Sequence, residues 1–286
     1  MLDSLLESLK QIFVDGILNN LSGLFDSVNN QVSGIAGQVG LTPSSWNGSI
    51  FGIVYSLSQD IILPIAGIIL TFVMCYELIQ IIIEKNNLHD IDTWIFFKWI
   101  FKTFVAVLIV SNTWNIVLGV FDVAQSVVNS SNVLISMDAS VDLSTVMDGL
   151  EEVLMDKELG PLIGLWFTTL FVSLMNQILS ICIFLVIYGR MIEIYLVTSM
   201  APIPMATMMN REWGNTGQNY LRSVFALAFQ GFLIMVCVGI YAVLIRTISL
   251  GTDLTAAMWG CVGYTVLLCF ALFKTGSLSK SIFAAH

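Results

Sequence analysis

One stretch of the sequence constrains the fold more than any other. From Gly160 to Met209, about 50 residues carry only two charges, Arg190 and Glu193. A soluble core helix does not stay apolar on every face for this length, whereas one bilayer crossing needs roughly 20 apolar residues. The stretch contains Ala-Pro-Ile-Pro at residues 201–204, and each proline removes a backbone donor. We therefore expect this segment to cross a membrane and then bend.

The composition indicates a polytopic membrane protein. Hydrophobic residues make up 57% of the chain and charged residues 11%, whereas soluble domains carry about 25% charged residues. The net charge of −9 argues against a nucleic-acid-binding module, which normally has a basic patch. We predict an all-α fold: a polytopic integral membrane helical bundle of about five spans, with an amino-terminal amphipathic helix and a proline-containing re-entrant or interfacial elbow.

The hydrophobic pattern places the five spans in the part of the chain from 51 to 286. They run roughly over 61–83, 94–121, 161–188, 221–245 and 256–273. The first span could begin at Phe51, and a polar run at 111–115 could mark a break or an exit within the second. A six-span alternative counts 191–209 as a full crossing, but it would send basic residues of the carboxy-terminal half to opposite faces. An elbow over 190–217 is the better interpretation.

Two further segments are predicted outside the spans. Residues 1–50 comprise an amphipathic helix at 2–28 and a Gly- and Ser-rich connector. The helix is expected to lie in the membrane interface or to pack on a neighbouring subunit. Because its polar face is acidic, attraction to anionic lipid would not hold it there. Residues 122–159 form an acidic loop that contains a short amphipathic helix.

The distribution of basic residues predicts the orientation, with the amino terminus outside and the carboxy terminus in the cytoplasm. This arrangement leaves only Lys10, Lys157 and Arg246 outside. The basic residues at or near the cytoplasmic face are Lys85, Lys98, Lys102, Arg190, Arg211, Arg222, Lys274 and Lys280. The excess inside satisfies the positive-inside rule. It also places the acidic loop and the amino-terminal helix on the outer side.

Polar residues within the spans are the candidate functional residues. Arg190 and Glu193 are one helical turn apart and can pair, either as a boundary anchor or as the lining of a polar passage. The candidate path or elbow residues are Asn176, Gln177, Arg190, Glu193, Pro202, Pro204 and Gln230. The three amides are best explained by hydrogen bonds between helices. Backbone around the prolines must be covered by protein or water at membrane depth.

Known catalytic patterns do not occur in the sequence. Its two histidines, His89 and His286, stand far apart, and no metalloprotease, P-loop, serine hydrolase or dinucleotide motif is present. The five cysteines all fall in apolar stretches without a C-x-x-C pair, which favours packing over metal or redox chemistry. We therefore predict that the protein is not an enzyme and has no catalytic residues, cofactor or metal site.

The arrangement resembles the TrbL-like polytopic membrane subunits of conjugative type IV secretion systems. The resemblance covers about 50 to 280, and its most specific part is the Ala-Pro-Ile-Pro-Met elbow at 201–205 and the segment that follows. That segment contains Trp213-Gly214 and a run from Tyr220 to Gly231. An outside amino terminus and a polar extracytoplasmic loop after the second span also fit.

The resemblance implies a channel or scaffold component of a bacterial cytoplasmic (inner) membrane. Such a component assembles with other secretion subunits in membrane lipid and helps DNA or protein substrate cross, powered by separate ATPases. We expect several copies of the chain to assemble, with the elbow, Arg190 and Glu193 near a central or intersubunit path. A small-solute transporter or importer permease subunit is the alternative, although an odd span count and the lack of a detectable inverted repeat disfavour it. A scaffold that does not line the path is a third interpretation.

Overall fold

The computed structural model describes residues 2–84, 93–136, 144–248 and 254–285. The described residues form helices and connecting turns. In chain order these are α1 (Leu2–Val39), α2 (Pro43–Trp46), α3 (Gly48–Ser56), a π-helical turn (Leu57–Ile62), α4 (Leu63–Glu84), α5 (Thr93–Ser111), α6 (Thr113–Ser136), α7 (Ser144–Met155), α8 (Leu159–Ser199), α9 (Pro202–Thr207), α10 (Gly214–Arg246) and α11 (Leu254–Ile282). Most of the predicted turn at 84–92, with His89, and the terminal His286 lie outside the described residues.

Five of the described helical segments are long and apolar enough to cross a membrane. They are Gly48–Ile83, Trp94–Ser111, Leu159–Ser199, Gly214–Arg246 and Leu254–Ile282. The predicted all-α class with five spans is therefore confirmed. The first segment has the earlier start that the sequence left open, because α3 and the π-helical turn lead directly into α4.

The second span is shorter than the predicted 94–121. Helix α5 ends at Ser111 and α6 begins at Thr113, so the alternative of a break at this polar run describes the chain. The Asn112 side chain donates to the Leu108 carbonyl oxygen, and the Thr113 hydroxyl donates to the Ile109 carbonyl oxygen. Such side chains compete with the backbone for helical carbonyl groups, which favours a helix end here.

The predicted acidic loop at 122–159 is mostly helical where it is described. Its first part continues α6 to Ser136, and α7 forms the expected short helix at Ser144–Met155. The reason is an apolar stripe at three- and four-residue steps along α6. Val117, Phe121, Ala124 and Val128 are all buried, so burial of this stripe outweighs the polar composition.

Two other helices extend beyond their predicted ends. Helix α1 reaches Val39, through the Gly- and Ser-rich run assigned to the connector, because Val32, Ile35 and Val39 continue its buried stripe. Helix α8 runs without interruption to Ser199, so Arg190 and Glu193 lie within it rather than in the predicted elbow. The elbow itself is confined to α9 and the turn that leads to α10.

The chain divides into two compact units. The first comprises residues 1–40, 128–188 and 232–275, and the second comprises 41–127, 189–231 and 276–286. In the first unit, the apolar face of α1 is part of a core with α8, α10 and α11. The second unit has two apolar clusters, one around Ile194 and Leu227 and one around Leu70 and Ala206.

Candidate functional site

In the second unit, Arg190 lies buried against the backbone of α10. Its side chain is only 7% exposed, and a terminal guanidinium nitrogen donates to the Ala228 carbonyl oxygen over 3.4 Å. The Nε group has no hydrogen-bond partner. A buried guanidinium with one long hydrogen bond is poorly compensated, because five N–H donors need acceptors.

Glu193 pairs with a different residue from the one that its spacing predicts. Its carboxylate accepts a hydrogen bond from Lys280 of α11 at 3.1 Å, with both side chains about half exposed. Its charge still acts on Arg190, one turn earlier on α8. The expected Arg190–Glu193 pair is therefore corrected: the carboxylate reaches the cation on α11, where partial exposure to solvent lowers the desolvation cost of the ion pair.

Gln230 lies at the contact of α10 with α11 in the same unit. Its amide nitrogen would be 3.3 Å from a Cβ added at Gly276, so α10 and α11 approach each other closely here. One turn further along α11, the Ser279 hydroxyl donates to the Ala226 carbonyl oxygen. Three of the predicted residues, Arg190, Glu193 and Gln230, therefore lie near the contact of α8, α10 and α11.

The proline elbow is packed against protein rather than open to solvent. Pro202, Met205 and Ala206 are buried, and Pro204 is half-buried. Helix α9 packs on α4 and α5. Each proline lacks a donor, so coverage by neighbouring helices satisfies the requirement for irregular backbone at membrane depth.

The turn that follows the elbow is fixed to α4 by polar and aromatic contacts. Gln80 donates to Glu212 at 2.6 Å. The Trp213 ring is stacked on Tyr76 and Phe72, with centroids 5.7 and 5.8 Å apart. The side-chain oxygen of Asn210 accepts from the backbone amides of residues 212 and 213, which closes the turn before α10.

An ion pair that the sequence analysis did not single out joins α4 and α5. Lys102 donates to Glu77, whose side chain is 12% exposed, and the second carboxylate oxygen of Glu77 is buried without a partner. Nearby, the Trp99 indole donates to the Met74 carbonyl oxygen. Both charges lie in consecutive predicted spans that run in opposite directions. This position in the sequence was the feature that could have predicted the ion pair.

In the first unit, a polar seam holds α1 against α8. Asn20 donates to Thr169, Asn176 donates to Ser27, and Gln31 donates to Ser180 at 2.6 Å. All three pairs are 149 residues apart. A constant separation means that the two helices run parallel with matched rise.

The two amides of α8 that were predicted as candidates have different positions. Asn176 is 2% exposed and belongs to this seam, as expected for an amide that joins helices. Gln177, the next residue, is exposed. A substrate cannot touch Asn176, Arg190 or Gln230 while the helices keep this packing, so a path along these residues stays a prediction.

The apolar face of helix α1 is buried by other helices of the same chain, whereas the sequence analysis expected lipid or another subunit to cover it. Its apolar residues from Val14 to Val39 lie in the core of the first unit. Trp166 packs so closely that a Cβ at Gly16 would be 2.6 Å from the indole nitrogen. Lys10 also donates to the Met155 carbonyl oxygen of α7 at 3.5 Å. The start of α1 therefore lies beside the end of α7.

These features define the class of protein: a multi-pass, all-helical membrane protein whose spans carry paired and buried polar groups. A family model described as TrbL/VirB6 plasmid conjugal transfer like protein matches residues 28–202, well over half of the chain. The chain belongs to this family. It is therefore a component of a conjugal transfer system and a member of a multi-subunit complex.

The family is one of structural conjugation components rather than of enzymes. The matched range includes α8 and ends at Pro202, the first residue of the elbow. No curated protein and no solved structure matches the chain.

Proposed function

We propose that the chain is a channel or scaffold component of a bacterial conjugative type IV secretion apparatus in the cytoplasmic membrane. It helps DNA or protein substrate to cross, together with other subunits and separate ATPases. The family match over residues 28–202 is the observation that carries this proposal. The five apolar helical segments supply the membrane crossings that such a component needs.

Polar groups at membrane depth need a physical reason in either role, conduit or scaffold. Such groups lie in or against candidate spans: the Glu77–Lys102 pair, buried Arg190, and the polar seam that contains Asn176. Charged groups in spans are costly unless they are paired, buried in protein or in contact with water. While the helices stay packed, these groups join helices in either role, so the crosslinking test below separates conduit from scaffold.

The proposed orientation keeps the amino terminus outside and the carboxy terminus in the cytoplasm. Helices α1 and α8 run parallel, and Lys10 contacts the end of α7. This arrangement supports a common side for the amino terminus and the acidic segment before α8. The excess of basic residues on the opposite side follows the positive-inside rule.

We also propose that several copies of the chain assemble around the path. Glu152 on α7 and Asp156, directly after it, lie on an exposed surface that suits contact with a partner. Native mass measurement of the solubilised apparatus should give more than one copy in each particle. A stable isolated monomer, without copies or other subunits, would contradict the assembly.

Deletion of the gene in a donor cell tests the main proposal. Transfer to recipients should be lost and should return when the chain is supplied from a second plasmid. Single photoreactive residues along 176–230 should then separate conduit from scaffold, because only a conduit contacts substrate in transit. Glu193, whose side chain is about half exposed, is the best position, and buried Asn176 is the matched control. Transfer by the deletion strain at the normal frequency would refute the proposed function.

A further inference from the structure

Helix α1 has an exposed face that is polar over most of its length. Between Asp15 and Gly37, every exposed residue of α1 is polar or glycine. These residues recur at steps of three and four, so they form one stripe along the helix. The polar stripe consists of Asp15, Asn19, Gly23, Asp26, Asn30, Ser33, Gly34 and Gly37. Exposed Leu6, Leu9 and Ile12 precede it.

The neighbouring helix has the opposite character at the same level. The hydrogen bonds of the seam pair residue 20 with 169, 27 with 176 and 31 with 180, so the polar stripe is level with residues 164–186 of α8. Gln177 is an exposed amide in this part of α8. The large exposed residues are Ile163, Phe167, Leu170, Phe171, Leu174, Ile178, Ile181, Phe184 and Leu185.

The two faces cannot share one surrounding medium. Helix α8 is a candidate membrane span, and its apolar face suits lipid. The polar stripe extends about 33 Å, from the helical rise of 1.5 Å per residue, which matches the roughly 30 Å of the hydrocarbon core. Carboxylates such as Asp15 and Asp26 do not face lipid at this depth, and they usually face a water-filled cavity or a bundle interior.

We infer that the polar stripe of α1 is the surface of this chain that faces the water-filled conduit. This inference rests on the proposed function, and it identifies α1 rather than the elbow as the lining element. The wet and lipid sides of the first unit are then α1 and α8, joined by their polar seam. The glycines of the stripe carry no side chain, so the lining layer is thin at these positions.

The stripe also determines which charges the path accepts. No lysine or arginine occurs on α1 after Lys10, whose ammonium group donates to α7. The carboxylates of Asp15 and Asp26 accept hydrogen bonds from Gln11 and Ser22 at 3.1 and 3.4 Å, and both contacts are exposed. A lining of this kind attracts cations and repels phosphate groups. It therefore suits an extended neutral or basic polypeptide better than a nucleic acid strand.

Cysteine reactivity in donor cells tests the inference. Single cysteines are placed at Asn19 and Asn30 on the stripe and at Phe171 and Ile181 on α8, in a chain whose five native cysteines are replaced. Only chains that restore transfer are read, so failure of the proposed function appears separately, as transfer by the deletion strain. The probes are charged, membrane-impermeant methanethiosulfonates and a lipid-soluble maleimide. Water favours the reactive thiolate, whereas an apolar environment suppresses it.

Cysteines on the stripe should react with the charged reagents much faster than cysteines on α8. The α8 cysteines should be accessible only to the lipid-soluble maleimide. The cationic reagent should react with the stripe faster than the anionic one, and D15N with D26N should remove most of this preference. Stripe cysteines that react no faster than α8 cysteines would overturn the inference. So would α8 cysteines that react equally with charged reagents, or a stripe that prefers the anionic reagent.

A second measurement avoids cysteine replacement. Labelling of carboxylates in the purified apparatus with a water-soluble carbodiimide and a charged amine should modify Asp15 and Asp26. Glu77, whose side chain is 12% exposed, is the internal control. Protection of Asp15 and Asp26 to the level of Glu77 would contradict a water-facing stripe.

Discussion

Replacing Gly217 with alanine should destabilise the elbow, because the start of α10 packs directly against the backbone near α9. A Cβ added at Gly217 would lie 2.7 Å from the Pro204 carbonyl oxygen and 2.8 Å from Met208 Cα. Ordinary carbon contacts are about 3.5–4.0 Å. Both obstacles are backbone atoms, so one of the two segments must move.

The size of the effect follows from two opposing contributions. Overpacking of a well-packed site costs about 1–3 kcal/mol, and the backbone obstacles place Gly217 at the upper end. Alanine gains about 1 kcal/mol in helix propensity over glycine. The free energy of unfolding should therefore fall by about 1–2 kcal/mol, which is a factor of about 5–30 in the folding equilibrium.

Denaturant titration of the purified protein in mixed micelles measures this change, with G189A as the matched control. Gly189 belongs to the same unit, and nothing lies within 4 Å of a Cβ added there. G189A should be equal to the wild type or more stable by up to about 1 kcal/mol. If G217A unfolds at the same denaturant concentration as G189A, the close packing of the elbow is refuted.

Three further substitutions follow from the polar contacts. E77Q leaves Lys102 without its carboxylate partner. Because Lys102 is 34% exposed, we expect the free energy of unfolding to fall by about 1–2 kcal/mol rather than by the roughly 3–5 kcal/mol of a fully buried pair. Adding K102Q to E77Q should recover part of this loss in a double-mutant cycle. N176L should lose about 0.6–2 kcal/mol per hydrogen bond with α1 by the same titration, whereas Q177L on the exposed side should not. R190M should unfold no earlier than the wild type, because a buried, poorly compensated charge is replaced by a side chain of similar volume; a clear loss of stability would show that Arg190 is well compensated.

The membrane character and the helical class were predictable because they depend on hydrophobicity summed along consecutive residues. The apolar run from Gly160 to Met209 exceeds anything that a soluble helix contains, and no tertiary information is needed to recognise it. The end of α5 at Ser111 was also accessible, since the polar run beside it gives competing side-chain acceptors and donors.

Helix ends that depend on burial were not predictable from composition. The Gly- and Ser-rich run at 33–37 looks like a connector, yet it is helical because Ile35 and Val39 are buried in the first unit. Likewise the acidic composition after Asp122 conceals the buried stripe of α6. In both cases tertiary packing outweighs local propensity.

The polar contacts of the candidate site depend on residues far apart in the chain. Spacing alone suggested that Glu193 pairs with Arg190, whereas Lys280, 87 residues away, is its partner. The seam of α1 and α8 was equally inaccessible, because nothing local indicates that two helices 149 residues apart run parallel. The pairing of Glu77 with Lys102 was easier to predict from the sequence, because the two residues lie in consecutive spans.

Accessibility of the two chain ends in intact cells is the most direct test of the account. The proposed orientation places the amino terminus outside and the carboxy terminus in the cytoplasm, so an epitope before Leu2 should be reached by impermeant reagent once the outer barrier is opened. An epitope after Ala285 should be reached only after the cytoplasmic membrane is broken. Ends that respond alike would contradict the proposed orientation, and with it the sides given to the start of α1 and to the basic carboxy-terminal half.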